Sequence, residues 1–295
     1  MLLKLRVCNQ EVAGLILERM SYKTSPLWPI EEKKSYFLIL FPHTESASAR
    51  ERQSFLGFAP LLSELGPHPS LPKLLGVVTV QTPLMIDHTS QEAPCDMTER
   101  QIFTMGTQIG SALEYLHSKN YIHGNVKARS VLVGRDLSVK LWGLGLAYRR
   151  KTSTASVEYV EDMEMRKWQA PEALAQQPLQ QSSDIWSFGI LLYEMVTLGE
   201  PPFPNIMASE LLQHLQRVNT IKRPPNCSNT LYSIIKSCCQ WKPMDRVSLA
   251  ELIRKLHSKE TSANDQAVLR VTEPLDMEKY MREAGYGESL NYAVL

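Results

Sequence analysis

The spacing of hydrophobic positions changes near Thr98. Before it, apolar residues come in short runs: Tyr36–Phe41 (YFLILF) has strand length and strand-type side chains, and Leu71–Val80 supplies a further pair of short strands. Between them Ser46–Leu65 reads as a helix, a poor one by propensity because of Gly57 and Pro60, and Gly66-Pro67-His68-Pro69 ends it. After Thr98 the helical period takes over. Thr98 is placed to cap a helix running to about Lys119, with Ile102, Met105, Ile109, Leu113 and Leu116 on its apolar side. Short apolar runs at Val131–Val133 and Val139–Leu141 alternate with turns, and Lys151–Glu164 is polar enough to be a long loop. Ser183–Leu198 is apolar nearly all round, which predicts a buried central helix with a serine N-cap. Helices near Ser209–Arg217, Thr230–Cys239 and Ser248–Leu256 follow, separated by prolines, and beyond Lys259 the pattern gives way to a polar tail.

Composition bounds the function. The 295 residues suffice for one two-lobed domain with short extensions. A net charge of +1 leaves no electrostatic footprint for nucleic acid or an anionic membrane. The longest uninterrupted apolar run, YFLILF, is far below the roughly 20 residues that cross a bilayer, and Met1–Val7 is too short and charged for a signal peptide. A cytoplasmic protein is expected. The five cysteines (Cys8, Cys95, Cys227, Cys238, Cys239) have no metal-ligand spacing and read as reduced, mostly buried thiols.

Five segments then fall in an informative order. Tyr121–Ser130 (YIHGNVKARS) resembles the catalytic loop of protein kinases, Trp142–Ala147 (WGLGLA) the Asp-Phe-Gly metal loop, and Lys167–Glu172 (KWQAPE) the Ala-Pro-Glu segment as tyrosine kinases write it. Ser183–Gly199 is similar to the central helix of the large lobe, and Asp245-Arg246 to the late arginine that pairs with the glutamate of Ala-Pro-Glu. The chain therefore resembles the tyrosine-kinase branch. It is most similar to the serine/threonine/tyrosine kinase 1 type (novel oncogene with kinase domain) through GLGLAY, the central helix and LYSIIKSC. The resemblance implies an α+β, two-lobed fold: a degenerate N-lobe over 1–84, a helical C-lobe over 85–258 and a C-terminal tail over 259–295. Two departures stand out. That family has a transmembrane segment ahead of the kinase-like domain, for which this sequence has no counterpart, and it keeps the loop aspartate, which here is Asn125.

Phosphoryl transfer needs positioning groups and hard anionic oxygens for the metal ions. By the resemblance, the base position is Asn125, an amide that cannot accept a substrate proton. The metal-binding positions are Ser130 and Gly143, and Asp136 reads as a turn residue. The lysine of the third strand falls at Ile39, with Phe37 where a small residue usually faces adenine; its partner glutamate falls at Phe58. No glycine occurs between Gly14 and Gly57 to form a phosphate loop. Gly124 replaces the arginine that would read a phosphate on Tyr159. Weak or absent ATP binding, no metal and no cofactor are expected.

The positions that hold such a fold together are kept: His123 and Leu144 in the apolar column between lobes, Asp184 accepting backbone N–H bonds from the loop, and the Glu172–Arg246 ion pair. Lys127 and Arg129 read as a solvated basic loop, His117 as surface or packing, and Met163, Met165 and Met195 as core. In the tail, Leu290–Leu295 (LNYAVL) sets apolar residues two before and three after Tyr292, the pattern of an inhibitory phosphotyrosine docking motif. The expected function is a pseudokinase serving as scaffold or allosteric partner of signalling proteins, such as a kinase or an SH2-containing protein recruited through Tyr292. The alternative is a weak or atypical tyrosine kinase.

Overall fold

The computed structural model describes residues 64–71, 97–133, 137–144, 163–218, 221–263 and 268–269. Its first long helix, α1 (Glu99–Ser118), begins where the sequence places it. Thr98 accepts the Gln101 N–H while the Gln101 side chain accepts the Thr98 N–H, a reciprocal capping box. All five apolar positions anticipated on α1 are fully buried, and Phe103 and Ala112 widen the stripe so that the helix packs on two sides.

The central helix α3 (Gln181–Val196), which follows the short α2 (Pro171–Leu174), has every residue from Ser183 to Val196 buried. Its start differs from the expected serine cap. Gln180 is the N-cap and Ser183 sits one turn in, where its hydroxyl accepts the Gln180 N–H and donates to the Glu172 carboxylate. The buried Glu172 competes for that hydroxyl, a partner invisible in local sequence. Against α3 pack α1 and α5 (Asn229–Cys238), while α4 (Leu211–Val218) meets α2 and α6 (Leu249–Ser262) packs along α1. Two glycines set how closely. A Cβ at Gly189 would lie 2.7 Å from both Cys238 Cβ and Cys239 Sγ, and one at Gly110 would lie 2.8 Å from Ile253 of α6. Helix α6 runs six residues past the expected Leu256, because Glu260 accepts the Thr104 hydroxyl of α1 and Lys255 pairs with Glu251 one turn back.

The strands are short. The two short apolar runs are strands: β2 (Val131–Val133) and β3 (Val139–Leu141) pair antiparallel with Val131 opposite Leu141. β1 (Met97–Thr98) pairs antiparallel with β4 (Val268–Leu269), tying the segment after α6 back to the start of α1. Residues 64–71 are fastened to this body. Ser70 O accepts the Leu141 N–H, Leu65 O accepts the Tyr115 hydroxyl, and His68 stacks on Tyr115 with ring centroids 5.0 Å apart.

Candidate functional site

The loop between α1 and β2 is pinned from below by one carboxylate. Asp184, fully buried on α3, accepts the His123 N–H at 2.9 Å and the Gly124 N–H at 2.7 Å, and faces His117 Nε2 at 2.8 Å. Burial alone would push its carboxyl up. The His117 bond, the His123 and His117 imidazoles and the Gly124 N–H outweigh burial and hold it below the ordinary carboxylate value. Gly124 takes φ +67°, where a side chain is disfavoured. His117 is thus a buried partner of the loop's anchor rather than a surface residue.

His123 carries the loop upward. Its Nε2 pairs with Trp142 O at 2.9 Å and its Nδ1 accepts the Asn125 N–H at 3.1 Å. Trp142 N–H donates to Ser130 O, which brings Gly143 against the loop. The three positions singled out for the missing chemistry, Asn125, Ser130 and Gly143, therefore meet at one point. The Ser130 hydroxyl donates to Asn125 O at 2.6 Å. Gly143 has φ +86°, and a Cβ built there would lie 3.0 Å from Ser130 Oγ and 3.1 Å from Asn125 Nδ2. Asn125 is 5% exposed, and its Oδ1 meets no hydrogen-bond donor among the described residues.

The three positions of this floor carry no carboxylate oxygen. It presents an amide, a hydroxyl already committed to the backbone, and a glycine at which a Cβ would be tight against both of them. Magnesium prefers carboxylate and phosphate oxygens in near-octahedral array. Among the described residues no group of three His, Cys, Asp or Glu could hold a metal ion.

The frame is complete by contrast. Arg246 binds Glu172 through two parallel bonds of 2.7 Å, and its remaining N–H groups reach Gln240 O, Ser182 O and Trp241 O. All five guanidinium donors thus have acceptors, and the group also lies 5.3 Å from the Trp186 ring centroid. Burial would raise the Glu172 carboxyl, but the Arg246 bonds and charge prevail and lower it. Leu144 is buried.

Lys127 corrects the sequence reading. It is 4% exposed rather than solvated, with its ammonium 5.5 Å from the ring centroid of the buried Trp168. No local spacing signals this, since Trp168 is forty-one positions away in the chain. Two further residues were missed. Glu194 accepts the Ala128 N–H at 2.9 Å, and Lys167 donates to Phe203 O at 3.2 Å. An acidic residue inside the apolar run of α3 was the available signal for Glu194. The buried thiols are inert: burial pushes Cys227 and Cys238 up to about 12 and Cys239 well above its ordinary value. Ile39, Phe37, Phe58, Asp136, Tyr159, Tyr292 and the side chains of Arg129, Met163 and Met165 lie outside the described residues.

Residues 40–256 match the family model for protein tyrosine and serine/threonine kinases. Tyrosine-protein kinase STYK1 of Homo sapiens is 38% identical over 322 residues, covering 100% of this chain and 76% of that protein. Tyrosine-protein kinase STYK1 of Mus musculus is 38% identical over 284 residues, covering 89% of this chain and 66% of that protein. Tyrosine-protein kinase ABL2 of Mus musculus is 34% identical over 229 residues, which is 74% of this chain and 19% of that protein.

Proposed function

Because the chain belongs to the protein kinase family, on its tyrosine-kinase branch and with its α+β fold, we propose that it is a catalytically inactive member, a pseudokinase acting as scaffold or allosteric partner. The observation that carries this reading is the floor at Asn125, Ser130 and Gly143. The base position is an amide with no titratable pair in the useful range. The position of a metal-binding carboxylate is Gly143, where even a Cβ would press on Ser130 Oγ and Asn125 Nδ2. Asn125 sits on a loop held in position by Asp184, and the Trp142 N–H bond to Ser130 O brings Gly143 against that loop.

What remains is a rigid, charged-pair-locked lobe whose value lies in its surfaces. The partners we infer are signalling proteins, a kinase or an SH2-containing protein engaging Tyr292, in the cytoplasm. No helix among the described residues is long and apolar enough to cross a membrane. A weak or atypical tyrosine kinase is the second reading, favoured by the names of the relatives and by the intact Glu172–Arg246 and Asp184 frame.

A titration of the purified chain with ATP, with and without Mg²⁺, separates the two. A pseudokinase of this kind shows no shift in melting temperature, since a ligand stabilises only in proportion to its affinity, and transfers no phosphate to a tyrosine peptide. Phosphate transfer by the unaltered chain that disappears with an adenine-site inhibitor would overturn the proposal in favour of the second reading.

A further inference from the structure

Residues 64–71 meet the helical body around one imidazole. Ser70 N–H donates to His68 Nδ1 at 3.1 Å, so that nitrogen carries a lone pair and the ring's proton sits on Nε2. Nε2 faces Ser111 Oγ of α1 at 3.3 Å, and the ring stacks on Tyr115 with an interplanar angle of 26°. Around this contact the segment gives its carbonyls to the body. Leu65 O accepts the Tyr115 hydroxyl, Pro69 O accepts from the Lys140 ammonium of β3, and Ser70 O accepts the Leu141 N–H at 2.8 Å. Leu65, Ser70 and Leu71 are buried.

A proton added to this ring meets no favourable place. It must enter at Nδ1, where it removes the lone pair that holds the Ser70 N–H and sets two donors against each other. The charge it brings faces cations. Lys140 acts on the ring from β3, and Lys119 at the end of α1 already lies 5.8 Å from the centroid of the Tyr115 ring. The acidic residues of the segment and of the adjoining turn of α1, Glu64 and Glu114, are exposed to water. Burial first, and the Lys140 charge second, hold the imidazole below its ordinary value. The closed segment thus selects the neutral ring.

We propose that residues 64–71 form a proton-sensitive clasp, closed on α1 and β3 while His68 is neutral and released when its ring is protonated. A histidine whose basicity is depressed in the closed form stabilises closure fully above its free value, about 6.5. That stabilisation is lost as pH falls below it. The window lies above the acid range in which Glu172 and Asp184 take up protons. The opening is local, so what it costs the body is capped at the free energy of closing the clasp. The segment belongs to the stretch read from sequence as the N-lobe, and the groups that hold it belong to the C-lobe. Mild acid therefore loosens the joint between them, whether or not the chain transfers phosphate.

Hydrogen exchange and histidine NMR on the full chain test this together. Protection of the Ser70 and Leu141 amides, corrected for the intrinsic effect of pH on exchange, should be constant above about pH 7 and fall severalfold by about pH 5. The His68 ring should titrate in step with them, with a midpoint below the ordinary histidine value. His68→Asn keeps a side-chain oxygen able to accept the N–H two residues on, without a titratable nitrogen, and its amides should stay protected across the range. Protection that does not change with pH in the unaltered chain overturns the proposal, and so does an equal fall in His68→Asn. If that variant is open at every pH, the unaltered chain decides: joint titration of ring and amides upholds the clasp, and a ring that titrates at its ordinary value apart from the amides overturns it.

Discussion

The ion pair of Glu172 with Arg246 and the floor of Asn125, Ser130 and Gly143 lie in one lobe, yet they handle buried polarity in opposite ways. At the pair, two full charges are removed from water and every guanidinium donor meets an acceptor. The three floor positions carry no charge, and the Asn125 Oδ1 acceptor meets no donor among the described residues. A buried ion pair that loses one member strands the other at several kcal/mol, whereas neutral groups can be exchanged at little cost. The difference teaches where the lobe tolerates change. Its charges persist where each is held by a partner, and they are absent where only a metal or phosphate could have held them.

The largest effect should come from breaking the pair on one side. Arg246→Ala leaves the Glu172 carboxylate buried without its cation and should cost about 3–5 kcal/mol in urea unfolding. The double variant Arg246→Met with Glu172→Gln should cost clearly less. A single-variant loss no greater than the double would mean the pair is not the frame described above.

Acid attacks the same feature and the loop's anchor together. Both Glu172 and Asp184 have carboxyls lowered in the folded chain. As pH falls, the unfolded carboxylates take up protons first, near their ordinary value of about 4. The stabilisation is therefore complete above that value and is lost as pH drops through the lower folded values. The urea midpoint should stay level from neutral pH to about 5 and then fall steeply. The double variant at the pair should show a shallower fall, and an equal slope in both would discount Glu172 as a contributor.

Asp184→Asn is next. One amide oxygen cannot replace two charged acceptors serving His123 N, Gly124 N and His117, so about 2–3 kcal/mol should be lost, with faster amide exchange at 123–125. Gly143→Asp should cost about 1–3 kcal/mol, from the positive φ and from crowding against Ser130 Oγ and Asn125 Nδ2. Smallest of all is the change in phosphate transfer on Asn125→Asp alone, which should be nil. A sharp rise in rate would show that the floor is one residue short of working, and would invert the comparison.

Much of this was legible in the sequence. The α1 cap at Thr98, the apolar runs that become β2 and β3, and the buried α3 follow from local patterns, because their determinants lie within a turn or two of each other. The clustering of Asn125, Ser130 and Gly143 followed from the ordered motifs. What stayed hidden depends on contacts between distant segments. Lys127 over Trp168, Ser183 serving Glu172, and the extension of α6 by Thr104 and Glu260 each need a partner that no local period reveals. The crowding at Gly143 is likewise a matter of fractions of an ångström, set by the Trp142–Ser130 backbone bond.

That crowding has a bearing on how such a site can change over generations. With Ser130 and Asn125 occupying the space beside Gly143, restoring one acidic residue yields a less stable chain that still lacks its companions. At Gly143 the single return to a carboxylate is penalised before any benefit accrues. That position therefore behaves as a ratchet, released only when Ser130 or Asn125 changes with it.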